Sequence, residues 1–157
     1  MFRRLLAAFS CAIVFDPGTR AADAMPLSRY DHVAIAPSKT SIYVGTVTMT
    51  TPAFSRRNGV YESSYTAKVF PYFFSNEAGT LSVEMSDDQL RQLERGQPVD
   101  FKGRGVRTDG VERRIEGRAT PADATSGKLK VRVFVTKRTE LIFNTTYRFG
   151  GPPDSSR

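Results

Sequence analysis

The chain has 157 residues, with 23 lysines and arginines against 16 carboxylates, one histidine and one cysteine. That length holds a single domain with its own core, and a net charge of +7 draws the surface towards anions. One histidine and one cysteine rule out a protein zinc site, which takes about three or four such ligands, and a disulfide framework.

Residues 1–24 follow the order of a secretory signal. Arg3 and Arg4 make a basic start, Leu5 to Phe15 form an uncharged run, and Asp16-Pro17-Gly18 break it before the small residues of Ala22-Asp23-Ala24. The run is too short to cross a bilayer, which needs roughly 20 apolar residues. Cys11 follows a small residue but has bulky Phe9 two places ahead, so a lipid anchor there is the weaker reading. Cleavage after Ala24 would leave a chain from Met25 with no thiol, no transmembrane helix and a surplus of six positive charges. The expected location is periplasmic or extracellular.

From Met25 on, the dominant period is two. His32 opens the first strand. "SIYVGTVTMT" (41–50) and "SSYTAKVF" (63–70) are rich in β-branched and aromatic residues, and Asn58-Gly59 between them suits a tight hairpin. Phe70 to Phe74 carries four rings around Pro71. Proline cannot donate to a ladder and marks an edge or bulge. The expected picture is a corner where rings close the end of the core, with an apolar ligand pocket at Phe70, Tyr72 and Phe74 as the alternative. "TLSVEM" puts Leu81, Val83 and Met85 on one face.

Ser86 with Gln89 has capping-box spacing, and Asp87 and Asp88 suit the positive end of a helix dipole. Gly96 and Pro98 end that helix. Next, a three-residue loop at Thr108-Asp109-Gly110 fixes a hairpin register. It sets Lys102 against Glu116, Asp100 against Arg118, Gly103 against Ile115 and Phe101 over Gly117, with one poor match, Arg104 against Arg114. Leu129, Val131, Val133 and Val135 share a face, as do Leu141, Phe143, Tyr147 and Phe149. The ending Tyr147-Arg148-Phe149 resembles the last strand of bacterial outer-membrane barrels over about ten residues. That resemblance implies a small membrane barrel, from which the tail after Phe149 and the capped helix depart.

The chain therefore predicts a mainly antiparallel all-β domain over 25–149. It is a small barrel or sandwich of roughly seven to eight strands, with one short helix at about 87–95 and a disordered tail at 150–157. No catalytic signature emerges. Any triad would need His32, no serine sits in a nucleophile elbow, and the glycines of "FKGRGVRTDG" lack a phosphate loop's lysine and helix. No metal or cofactor is expected. Lys102, Arg104, Arg114, Arg118, Lys128, Lys130 and Arg132 fall on one outward face, mixed with Asp100, Glu112 and Glu116. This face is the candidate site for an anionic polymer or lipid head groups, without specific nucleic-acid recognition. The expected function is a non-catalytic binding or accessory module of the cell envelope. The alternatives are an enzyme with a dispersed tyrosine, arginine and carboxylate site, or a small outer-membrane barrel.

Overall fold

The computed structural model describes residues 26–150; the expected signal, Cys11 and the tail from 151 lie outside the described residues. Alternation of apolar and polar residues builds ten strand segments. They are β1 (His32–Ile35), β2 (Ser38–Ile42), β3 (Gly45–Thr50), β4 (Phe54–Arg57), β5 (Val60–Phe70) and β6 (Glu77–Glu84), then β7 (Val99–Arg107), β8 (Glu112–Pro121), β9 (Ser126–Phe134) and β10 (Glu140–Phe149). One helix, α1 (Asp87–Glu94), separates β6 from β7.

Every ladder is antiparallel, and β1 joins both β10 and β4 while β5 joins β6. The sheet thus closes on itself as a barrel rather than a sandwich. β1 runs on into β2, and β3 into β4, as two bent strands, so the wall has eight strands running up and down. The bends sit at Pro37 and Pro52, where no amide can donate to a ladder. Across the seam between these bent strands, pairing stops after Val33↔Phe54 and resumes at Ser38↔Met49. Residues 34–37 and 50–53 therefore face each other without a ladder.

One end of the barrel is plugged. Ser86 accepts from the Gln89 amide, and the Gln89 side chain accepts from the Ser86 amide, completing the capping box expected there. The helix so fixed turns Leu90 and Leu93 inward, where both are fully buried against Tyr30 and Phe149. Such burial stabilises by roughly 1.5–3 kcal/mol per side chain. The Arg56 guanidinium, 2.6 Å from the Asp87 carboxylate, ties the helix to β4.

The other end, here termed the rim, carries the turns at Tyr43-Val44, 71–76, 108–111 and 135–139. At 108–110 the structure has the expected three-residue loop, with Gly110 at φ +86°, and every pair of the expected register is present. The unfavourable Arg104↔Arg114 pair is relieved sideways. Arg104 lies 3.5 Å from Glu112, Arg114 lies 3.8 Å from Glu116, and the Arg114 guanidinium covers the Phe134 ring at 4.0 Å.

Candidate functional site

Three inward aromatic rings lie over glycines on the neighbouring strand. Phe101 faces Gly117, Tyr147 faces Gly127 and Tyr65 faces Gly79. A Cβ at Gly117 would stand 2.2 Å from the Phe101 ring, so only glycine lets the ring lie flat along the wall. An eight-stranded barrel has an interior just wide enough to be filled by side chains or to hold one small ligand. Here flat rings and small residues such as Ala119 leave an apolar cavity of about 100 Å³. Leu81, Ile115, Leu129, Val131 and Phe143 line its middle. Ala36, Ser38 and Thr51 line it at the interrupted seam, and Ala36 is exposed. The cavity thus approaches solvent where the wall lacks a ladder.

Two tyrosines in this wall differ in their hydroxyls. Tyr61 donates to the Tyr30 carbonyl. Tyr147 is equally buried, and its hydroxyl has no hydrogen-bond partner among the described residues. Burial, with a smaller push from the Asp123 charge, raises the Tyr147 phenol to about 12.

Above the cavity, towards the rim, a polar cluster faces inward. Arg113 pairs with Gly105 one step from Ile115, so it continues the inward row of β8. Its Nη1 donates to the Val135 carbonyl at 2.9 Å, and Nη2 lies 3.6 Å from Glu77. Arg107 reaches the same carboxylate at 3.5 Å, and Tyr65 donates to it at 3.1 Å. Burial first, then the Glu77 charge and hydrogen bond, push the Tyr65 phenol up to about 12. The sequence reading missed this cluster, although its signal was present: Arg107 and Arg113 share inward parity with Gly103, Gly105 and Ile115.

The expected anion-binding face does come together. Lys102, Arg118 and Lys130 lie in adjoining rows on the outside of β7, β8 and β9, and with Arg132 they border a groove over Gly117. Carboxylates take up much of that charge. Arg118 lies 3.1 Å from Asp100, Arg132 lies 3.5 Å from Glu140, and Arg104 and Arg114 hold the two pairs already described. Lys102, Lys128 and Lys130 make no ion pair among the described residues. His32 sits at the start of β1, as expected, with Nδ1 3.3 Å from the Ser55 hydroxyl.

The aromatic stretch is where the structure departs from expectation. The strand ends at Phe70, a cis Phe70-Pro71 bond follows, and a 3-10 turn covers Phe73–Ser75. The rings do not close the core: Phe70 is 61% exposed, Phe73 65% and Phe74 86%. Phe70, Tyr72 and Phe74 also do not line the lumen cavity. "SIYVGTVTMT" is likewise not one strand. It folds into the β2–β3 hairpin, whose tip exposes Tyr43 and Val44. Gly45, at φ +124° and against the Phe70 carbonyl, was the available signal for that turn.

No protein-family model, curated protein or solved structure matches the chain.

Proposed function

We propose that the protein is a non-catalytic binding module of the cell envelope, whose lumen receives the end of a small apolar chain. The observation that carries this reading is the apolar cavity reaching the interrupted seam. An apolar cavity of about 150 Å³ stays dry and binds benzene. One of about 100 Å³ suits a flexible chain end better than a ring. The polar cluster of Arg107, Arg113 and Glu77 sits one layer above, where a polar head would be met. Export is argued from residues 1–24, and the outer basic face remains a weaker site because its arginines are largely paired.

Two alternatives have less support. An enzyme would use the same Tyr65, Glu77, Arg107 and Arg113 cluster. There the carboxylate is engaged by two guanidiniums and the Tyr65 hydroxyl, and the phenol is shifted upward, away from the neutral range in which a general base works. A transmembrane barrel needs an outward apolar band and a polar interior. Here Lys102, Arg118 and Lys130 face outward and the apolar residues face inward.

Calorimetric titration with hexanol and with decanoate tests the reading. Both should bind the parent with a negative heat-capacity change. Ala119→Leu fills the cavity and should abolish binding while thermal unfolding stays cooperative. Absence of binding to the parent, or undiminished binding to the variant, would remove the lumen as the site.

A further inference from the structure

Among the described residues, the exposed large apolar side chains are confined to one end of the barrel. The Tyr43-Val44 turn, Phe70 and the Tyr72–Phe74 turn project together at the rim, with Phe70 paired to Thr46 beside the β2–β3 tip. Phe70 ends β5 on the outer wall, and the others stand on the two turns. Tyr72 and Phe74 brace each other edge to face at 5.7 Å, as do Phe70 and Phe73 at 5.8 Å.

The two segments that carry these rings hold charge of one sign; beside them, Asp109 on the 108–111 turn is paired with Arg107, and Glu77 with Arg107 and Arg113. Residues 36–50 and 63–76 contain Lys39 and Lys68 and no carboxylate. Register places these two lysines in one row on the outer face, Lys39↔Thr48↔Lys68. Lys68 is two residues below Phe70, or about 7 Å at the rise of a strand. Lys137 and Arg138 occupy the neighbouring rim turn. Apolar side chains of interfacial segments enter a bilayer by roughly 5–10 Å, to the boundary between head groups and acyl chains. With the aromatic turns at that depth, the lysine row stands at the phosphates, where long side chains keep their charge in water.

We propose that the rim docks the barrel on an anionic lipid surface, with the aromatic turns inserted and Lys39 and Lys68 on the phosphates. This docking is independent of what the lumen holds. A protein partner would favour a flat, closely packed surface over two projecting ring pairs above a row of lysines.

The chain has no tryptophan, so one introduced indole reports its own surroundings. Phe74→Trp in the full chain should shift its emission to the blue on vesicles of phosphatidylcholine with phosphatidylglycerol. Gln97→Trp, at the helix end, should not respond. Adding Lys39→Glu and Lys68→Glu should weaken the Phe74→Trp response roughly fivefold for each lysine. Phe70→Ser with Phe73→Ser should weaken it about tenfold or more, with decanoate binding unchanged. A silent Phe74→Trp, an equal shift at Gln97→Trp, or a response indifferent to the charge reversals would overturn the proposal. So would sedimentation showing a dimer that the serine variant abolishes while vesicles leave the indole unmoved; that outcome assigns the rim to a second copy of the chain.

Discussion

At the scale of single residues, the two wall tyrosines give the sharpest energetic contrast. A satisfied buried hydroxyl contributes roughly 1 kcal/mol, whereas an orphaned one costs about 1–3 kcal/mol. Tyr61→Phe removes the bond to the Tyr30 carbonyl and should lower stability by about 1 kcal/mol. Tyr147→Phe removes a hydroxyl with no partner among the described residues and should raise stability by a similar amount. Urea midpoints measure both, and a lower midpoint for Tyr147→Phe would mean that this hydroxyl has found a partner. Neither role was legible in the sequence. Alternation put Tyr147 on the core face, but whether a hydroxyl meets an acceptor depends on segments distant in sequence, as the Tyr30 carbonyl is from Tyr61.

At the scale of elements, what could be read was local. The Thr108-Asp109-Gly110 loop fixed its own register because the opposite-charge and glycine-aromatic matches lie within one hairpin. The helix start was readable because a capping box spans four residues, and Ser86→Ala should cost roughly 0.5–2 kcal/mol. An unchanged urea midpoint would show that other contacts, such as Arg56 with Asp87, fix the helix alone. What could not be read depended on partners distant in sequence. Val69 to Phe74 is apolar on both faces, and such a pattern does not say whether a ring turns towards a core or projects from a turn. β5 ends at Phe70, before a proline that cannot donate to a ladder, and the rings stay outside. The bends at Pro37 and Pro52 were also missed, because the seam they open exists only once the first and second bent strands lie side by side.

At the scale of the whole molecule, the barrel is asymmetric along its axis. The helix end is sealed by Leu90, Leu93 and Tyr30, whereas the rim carries the exposed rings and the inward charges. Below the rim cluster, the wall separates an apolar inside from a charged outside. Its weak place is the seam between the bent strands, where the lumen meets exposed Ala36. The all-β class followed from period two, and the closed barrel was one of the two architectures it allowed. Choosing between them required the β1–β10 and β5–β6 ladders, which join segments the pattern alone does not connect.

Placing a bound chain by nuclear Overhauser contacts tests the lumen most directly. Isotope-labelled protein saturated with decanoate should show contacts from the ligand's terminal methyl to the methyl groups of Leu81, Ile115, Leu129 and Val131, and none to Lys128 or Lys130. Contacts confined to Phe70, Tyr72 and Phe74 at the rim, or to the outer basic face, with the lumen methyl groups unperturbed, would contradict it.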